Sequence, residues 1–382
     1  MLKRITFNNF KTFFNKPTSI DFTKTNYKFL EDTNVYNDVL KGALFVGENA
    51  LGKTNILDGI TILFNILFSN SEIDYNSYSS FYTDNSYFSI DYLFEIDDVD
   101  VNYFFKIDSS KIVEEKLLVG EKECIRRIGN SAIVNINNQR TFNDLSDKVS
   151  FIRRVYFDTG FYDDKILNDW FSFLKRSIIL RSNEKDIICS EPNMIMANDF
   201  LNKYGTDRIN AFFKEIGYKE SILYDYETPT TNIYKIKNDK EKILFFKKDG
   251  TNQYIPSFFE SNGNKSLIST LPSFLKAIDN ECMIVVDEFS SGLHNELEEC
   301  VLKYFFTHSK TSQVFLTSHS TNLLNNALMR PDQIYAVSFS SKKGTILHRF
   351  SDESPRQAQN IEKMYLNGTF GGLPKYKKFF KI

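Results

Sequence analysis

The sequence predicts an α/β fold with a parallel sheet at its centre. Three short apolar runs, residues 43–46, 282–286 and 313–318, have the length and composition of buried strands. Apolar residues at helical spacing follow the first run, and others separate the second run from the third. They are Ile56, Leu57, Ile60, Leu63, Ile66 and Leu67 in the first stretch, and Leu297, Val301, Tyr304 and Phe305 in the second. Strand, helix, strand is the unit of a parallel sheet, so these strands should end at one common edge.

The first strand leads into a complete phosphate-binding motif. Residues 47–54 read Gly-Glu-Asn-Ala-Leu-Gly-Lys-Thr, which fits G-x-x-x-x-G-K-[ST]. In such a loop the glycines let the backbone direct N–H groups at phosphate oxygens, the lysine reaches the β and γ phosphates, and the threonine hydroxyl is a Mg²⁺ ligand. The flanking strand and helix disfavour the alternative, a glycine turn before an ordinary helix. The residues expected to hold the nucleotide are Gly47, Glu48, Asn49, Ala50, Gly52, Lys53, Thr54 and Asn55.

The second strand ends in two acidic residues, Asp287 and Glu288. In a nucleotide hydrolase an acid at the tip of a buried strand holds Mg²⁺, so we expect Asp287 and Thr54 to be the metal ligands. A second acid beside it can orient or deprotonate the attacking water, which makes Glu288 the candidate general base. Lys53, which reaches the phosphates, is also a candidate catalytic residue. A solvated turn would explain the pair equally well if it stood alone. The phosphate-binding motif upstream favours the functional interpretation.

The third strand leads into His319. Because parallel strands end at one edge, this histidine should emerge near the nucleotide, where it can donate a hydrogen bond to the γ-phosphate. A lone histidine in a loop usually has no such role. The spacing from the acidic strand favours a catalytic role here.

These motifs, in this order, resemble the ABC-type ATPase heads of SMC, RecF and OLD proteins. Residues 259–266 contain Ser261 and Gly263 at the place of the family's signature loop, and residues 289–294 resemble its D-loop. Residues 5–13 are similar to the first strand and its Asn-Phe-basic turn. Residues 365–374 are similar to a terminal motif of small stand-alone bacterial ATPases, many of them from anti-phage, abortive-infection operons.

The resemblance implies ATP and Mg²⁺ as ligands and a homodimer or higher oligomer formed through ATP-sandwiched heads. It implies that Ser261 and Gly263 contact the γ-phosphate of the opposite subunit. It also implies a separately encoded effector, a nuclease or a toxin, since nothing after His319 resembles a nuclease domain.

The chain departs from the family pattern at two places. No glutamine occurs between Thr54 and Gln139, although ABC heads usually carry a glutamine loop there. Thr369 stands where relatives often have arginine. The first departure bears on the rate of catalysis more than on nucleotide binding.

Composition limits the class of protein. The chain has 382 residues, 42% hydrophobic and 25% charged, as in soluble globular proteins of two or three domains. The net charge of −2 argues against a uniformly basic nucleic-acid binder. The four cysteines lie far apart in the sequence, which predicts a cytoplasmic protein without disulfides. The sequence begins with a strand pattern, so we expect no signal peptide. No apolar run approaches the length of a membrane span.

We predict three segments. Residues 1–157 form the first ATPase lobe, with antiparallel strands over 87–96, 101–107 and 115–119 and a solvated acidic hairpin tip. Residues 158–220 form a short helical insertion that replaces the long coiled coil of SMC heads, because sustained heptads are absent. Residues 221–382 form the second lobe, with an Asp249-Gly250 turn between strands and an exposed basic tail.

Three functional hypotheses remain open at this point. The main one is an ATP-dependent dimer that acts as the sensor of an anti-phage system and controls a separate effector. The second is a RecF-like ATPase that binds DNA in repair or recombination, which would need a basic groove. The third is a scaffold that binds nucleotide only to dimerise. A GTPase is disfavoured because an Asn-Lys-x-Asp motif is missing.

Overall fold

The computed structural model describes residues 1–49, 51–69, 73–181, 186–189, 197–229, 232–233, 235–290 and 292–373. Ala50 of the phosphate-binding motif, Ser291 of the D-loop-like segment, Pro374 and the basic tail lie outside the described residues.

The strands are numbered in chain order. They are β1 Leu2–Asn8, β2 Thr18–Asp21, β3 Val35–Tyr36, β4 Val39–Leu40, β5 Gly42–Val46, β6 Tyr87–Ile96, β7 Val99–Asp108, β8 Lys111–Val119, β9 Lys122–Ile128, β10 Ser131–Asn135, β11 Gln139–Phe142, β12 Ile178–Arg181, β13 Asp186–Cys189, β14 Glu220–Asp225, β15 Ile243–Lys248, β16 Tyr254–Pro256, β17 Met283–Asp287, β18 Gln313–Thr317, β19 Ile334–Ser340 and β20 Gly344–Arg349.

The helices are numbered in the same way. They are α1 Glu31–Asn34, α2 Lys53–Phe68, α3 Phe151–Thr159, α4 Lys165–Arg176, α5 Ala197–Tyr204, α6 Asp207–Glu215, α7 Asn262–Asn280, α8 Asn295–His308 and α9 Ile361–Leu366.

The central sheet has the order β13-β12-β17-β18-β5-β19-β20. Its five inner strands are parallel, and the two edge strands, β13 and β20, run antiparallel. The three strands anticipated from apolar runs, β5, β17 and β18, are neighbours, and their carboxyl ends share one edge. The prediction of a parallel core with a common edge is confirmed.

A second sheet is antiparallel and has the order β11-β10-β9-β8-β7-β6-β1-β2. Helix α2 lies between the two sheets, because one continuous core joins its apolar side chains to both of them. The helix and β1 approach closely at Gly59, where a Cβ would lie 2.1 Å from the Phe7 ring. Helices α5 to α8 cover the other face of the central sheet. The strands expected over 87–119 are confirmed, and Asp97 and Asp98 form the hairpin tip with positive φ.

The segment predicted to be a helical insertion contains α4, α5 and α6, as expected, but the pattern does not anticipate its strands. Ile178 fits the apolar stripe of the preceding helix, whereas in the structure α4 ends at Arg176 and Ile178 begins β12. The reason is tertiary: the run Ile-Ile-Leu is buried and pairs in parallel with β17. Part of this segment therefore belongs to the central sheet, and the segment limits at 157/158 and 220/221 remain predictions.

The last part of the chain contains a hairpin, a helix and a separate small sheet. Strands β19 and β20 form a hairpin, and α9 follows. The Asp249-Gly250 turn joins β15 to β16 in a separate small sheet with β14. Among the helices of the described residues, none is long and apolar enough to cross a membrane.

Candidate nucleotide-binding site

The phosphate-binding motif forms the loop between β5 and α2, as the sequence predicts. Gly47 has φ +153° and Gly52 has φ +101°. A Cβ on Gly47 would lie 2.5 Å from the carbonyl oxygen of Val337, and a Cβ on Gly52 would lie 2.5 Å from Thr345 Oγ1. Both positions therefore require glycine for space as well as for backbone conformation.

Lys53 begins α2 and is only 7% exposed. Its ammonium donates hydrogen bonds to the carbonyl oxygens of Gly47 and Glu48, both at 2.9 Å, so it closes the loop upon itself. Burial lowers the pKa of Lys53, and the nearby charges of Asp287 and Glu288 oppose that shift. The loop thus carries its positive charge directly opposite the acidic strand end.

The acidic strand end is organised by Thr317, which the sequence analysis missed. The Thr317 hydroxyl donates to Asp287 Oδ1 at 2.6 Å and accepts the backbone N–H of Glu288 at 2.8 Å. Thr54 Oγ1 lies 3.4 Å from the same Asp287 oxygen. Glu288 has φ +55°, a conformation that non-glycine residues seldom adopt and that is held here by its neighbours. Thr317 therefore fixes the two acids relative to each other.

Two oxygen ligands suited to Mg²⁺, the Thr54 hydroxyl and the Asp287 carboxylate, meet at this point. Among the residues that the structure describes, no three His, Cys, Asp or Glu side chains cluster closely enough to hold a metal alone. Mg²⁺ usually binds through one or two protein oxygens together with substrate phosphates and water, so two protein ligands are a typical number for it.

Arg181 is a second residue that the sequence pattern does not identify. It ends β12 and stands level with Asp287 across the parallel pair. Its guanidinium lies 3.7 Å from the Asp58 carboxylate, one turn beyond Thr54 on α2. The side chain therefore extends over the face of the sheet that α2 covers. In the sequence, Arg181 is marked only by the apolar run before it. That run fits the apolar face of a helix as well as it fits a buried strand.

His319 follows β18 at the same edge, and its backbone N–H donates to Ser290 Oγ at 3.4 Å. Although the residue as a whole is exposed, partial burial of the imidazole lowers the pKa of His319. The charge of Lys53 lowers it further, and the charges of Glu288 and Asp287 oppose the shift. The shift favours the neutral imidazole, which has one donor and one acceptor nitrogen.

The signature-like residues lie elsewhere on the chain. Ser261 caps α7, with its Oγ accepting the N–H of Asn264 at 3.2 Å, and is exposed. Gly263 approaches the D-loop-like segment, since a Cβ on it would lie 3.9 Å from the Gly292 carbonyl oxygen. Within the described part of the chain, no hydrogen bond joins Ser261 or Gly263 to the phosphate loop.

The turn after β1 supports the loop from the other side. Asn55 was expected to bind nucleotide, and its amide donates to Thr12 Oγ1 at 2.7 Å, while Thr12 also bonds to Thr345 at 2.7 Å. Lys11, the basic residue of the turn, pairs with Asp58. Beside this turn the Phe14 ring stacks on Tyr82, and the Phe339 ring lies tilted against both.

Comparison with known proteins agrees with this geometry. Residues 43–325 match a family model described as AAA domain, putative AbiEii toxin, Type IV TA system. Among solved structures, an SMC head bound to the C-winged helix domain of ScpA is similar to the chain at 16% identity, over 92% of this chain and 99% of that chain, with a TM-score of 0.52. The SMC head domain from Thermotoga maritima is similar at 15% identity, over 91% and 97%, with a TM-score of 0.49. Among curated proteins, none matches the sequence.

Proposed function

The chain belongs to this family of AAA domains with an ABC-type head fold, and we propose that it binds ATP in the phosphate loop and hydrolyses it. The observation that carries the proposal is the connected set of hydrogen bonds from Thr54 through Asp287 and Thr317 to Glu288. It brings together a phosphate-binding loop, metal-binding oxygens and a second carboxylate at one sheet edge.

Each side chain has a defined part in this proposal. The backbone of the loop and Lys53 hold the phosphates, and Thr54 and Asp287 hold Mg²⁺, which neutralises phosphate charge when bound. Glu288 accepts the proton of the attacking water, and neutral His319 donates a hydrogen bond to the γ-phosphate. Arg181, level with Asp287, is our candidate for a further cation beside the phosphates; because it has no acceptor atom, it leaves the Mg²⁺ position of the absent glutamine to water.

We also propose that the working form is a dimer. Ser261 and Gly263 lie on the surface at the N-terminus of α7, where free backbone N–H groups favour an anion. Since no hydrogen bond joins them to the described residues of their own phosphate loop, a second copy can supply them to the nucleotide. ATP bridges both copies through its γ-phosphate and ADP cannot, so the nucleotide state sets the dimer state.

The biological role we propose is that of the regulatory ATPase of a cytoplasmic anti-phage system. The family description names a putative toxin and a type IV toxin–antitoxin system, and the similar SMC head is bound to a partner's winged-helix domain. A separate nuclease or toxin as effector fits both. Co-expression with the neighbouring gene should restrict phage growth only while ATP turnover is intact. Steeply salt-dependent binding to duplex DNA would instead favour the repair hypothesis.

Glu288→Gln tests the assignment of the general base. We expect the rate of ATP hydrolysis to fall by about 100-fold or more, since proton transfer of this kind contributes roughly 10²–10⁴-fold. ATP affinity should stay unchanged, because the amide keeps the shape of the side chain. Glu121→Gln, in an exposed hairpin turn, is the matched control. Turnover at the wild-type rate in Glu288→Gln would show that another group is the base.

A further inference from the structure

The segment after α9 has no role in the mechanism above, although the sequence analysis identified it as a terminal motif. We call residues 368–373 the terminal strap. The strap leaves α9 at Gly368, crosses over β19 and reaches the phosphate loop. Its course places a distant part of the chain against the nucleotide-binding motif.

The strap bonds directly to the first turn of the phosphate loop. The backbone N–H of Glu48 donates to the carbonyl oxygen of Gly372 at 3.1 Å. The Tyr365 hydroxyl donates to the same oxygen at 3.4 Å, so one carbonyl links α9 to the loop. This bond satisfies a loop N–H within the protein and leaves the later N–H groups of the loop for phosphate.

The strap, the loop and β19 also pack backbone against backbone. A Cβ on Gly47 would lie 2.5 Å from the carbonyl oxygen of Val337, and a Cβ on Gly372 would lie 3.2 Å from the same atom. Val337 is held in the central sheet by β20. Two glycines from opposite ends of the chain therefore face one fixed carbonyl group.

The strap is anchored in the core. The Phe370 ring stacks on Phe350 at 3.7 Å between centroids and 9° between planes, and both rings are buried. The N–H of Thr369 donates to the Met364 carbonyl at 3.1 Å. The Thr369 side chain is exposed, so the departure from arginine at this position leaves the anchor intact.

Helix α9 links the strap to the His319 segment as well. The Thr321 hydroxyl donates to Glu362 Oε1 at 2.6 Å. A cavity of about 310 Å³ separates the loop from α9, with His319, Tyr365 and Leu373 in its walls. The loop and the residue expected at the γ-phosphate are thus both tied to one element.

From these contacts we infer that the terminal strap is a positioning element that holds the first turn of the phosphate loop in its nucleotide-binding shape. Gly372 and Tyr365 are its positioning residues, and neither touches the reacting atoms. The expected effect of the strap on ATP affinity rests on the proposed nucleotide binding. The expected effect of the strap on the shape of the loop does not depend on any nucleotide.

The test compares Gly372→Ala with Gly371→Ala. Both glycines have nearly the same positive φ, +73° and +70°, so alanine costs a similar backbone strain at either position. Only the alanine at 372 meets the Val337 carbonyl, whereas a Cβ on Gly371 has no described atom within 4 Å. Tyr365→Phe removes only the hydroxyl that bonds to the Gly372 carbonyl. It keeps the test decisive if Gly372→Ala fails to fold.

Hydrogen exchange of the peptide that contains Glu48, measured without nucleotide, gives the first outcome. We expect faster exchange in Gly372→Ala and Tyr365→Phe than in Gly371→Ala, because the strap protects the Glu48 N–H. ATP binding and turnover give the second outcome: an affinity about tenfold weaker in Gly372→Ala, as for loss of one hydrogen bond, with kcat at saturating ATP retained.

Equal exchange and equal ATP affinity in the 371 and 372 variants would overturn the inference. A lower melting temperature of Gly372→Ala with unchanged exchange at Glu48 would also overturn it, since that result describes a structural role only. If the wild-type chain itself fails to bind ATP, the proposed function fails, while the exchange result still decides the role of the strap.

Discussion

The two halves of the proposed composite site differ in how much of their structure one chain completes. In the phosphate half, Lys53 is buried against its own loop, and Thr317 joins Asp287 to Glu288. In the signature half, Ser261 is exposed, and its hydrogen bonds to other described residues stay within α7 and the adjoining Glu260. The first half is pre-organised in the single chain, whereas the second presents its helix N-terminus to solvent.

The surface next to the signature half shows the same difference. Phe258 and Phe259 precede Ser261 by three and two residues, with exposed fractions of 53% and 72% and ring centroids 4.6 Å apart. Adjacent exposed aromatic rings are typical of the centre of a protein interface. Phe258 and Phe259 are close to Ser261 in sequence. A dimer contact that brings Ser261 to the nucleotide of the other copy would therefore also cover these two rings.

The largest predicted effect is obtained by breaking each half in a different chain. Lys53→Ala removes the phosphate half and Ser261→Arg blocks the signature half, so each variant alone should lose nearly all ATP turnover. An equal mixture forms dimers in which one site combines the two intact halves. By random pairing in a two-fold dimer we expect roughly a quarter of the wild-type activity to return. If the mixture shows no ATP turnover at protein concentrations at which the wild type is active, the two halves of a site do not come from different copies.

The next prediction concerns the link inside the phosphate half. Thr317→Val keeps the shape of the side chain and removes the hydroxyl between Asp287 and the Glu288 N–H. We expect kcat to fall by about 10- to 100-fold, because the half-buried Asp287 carboxylate and the backbone N–H of Glu288 lose their shared partner. ATP affinity should change little. Thr369→Val, on the exposed side of the strap, is the control, and an unchanged kcat in Thr317→Val would mean that the acids hold their positions without it.

The phosphate half could be predicted from sequence because each of its motifs is local. The glycine spacing, the acidic strand end and the residue after β18 each follow an apolar run that the sequence displays. Thr317 and Arg181 could not be found in this way. Their roles depend on which strands are neighbours and on the register between them, and that information resides in the pairing of β12, β17 and β18.

The terminal strap illustrates the same limit. Residues 365–374 stand out in the sequence, yet nothing local indicates that the Gly372 carbonyl meets the Glu48 N–H more than three hundred residues away. The helical stripe that includes Ile178 fails for a related reason. A short apolar run fits a helix or a strand, and burial beside β17 decides between them.

A smaller effect is expected at the surface of the signature half. Replacing Phe258 and Phe259 together by serine should weaken ATP-dependent dimerisation by about tenfold or more, as for loss of an aromatic anchor. Turnover per chain should then recover as the protein concentration rises. Ile128→Ser, on the far lobe and 59% exposed, controls for lost surface hydrophobicity. Unaltered dimerisation would place the interface elsewhere.

The smallest effect tests whether the phosphate half alone controls His319. Without nucleotide, the imidazole should titrate below its usual pKa of 6.5, because burial and the Lys53 charge disfavour its cation. Lys53→Met removes that charge and should raise the pKa of His319, whereas Glu288→Gln removes an opposing charge and should lower it.

Proton NMR can follow the four histidines of the chain, with His319→Gln for assignment. Ser261→Ala should leave the titration unchanged, since in one chain the signature half has no hydrogen bond to the described part of the phosphate loop; a shift there would mean that the two halves communicate before they are joined.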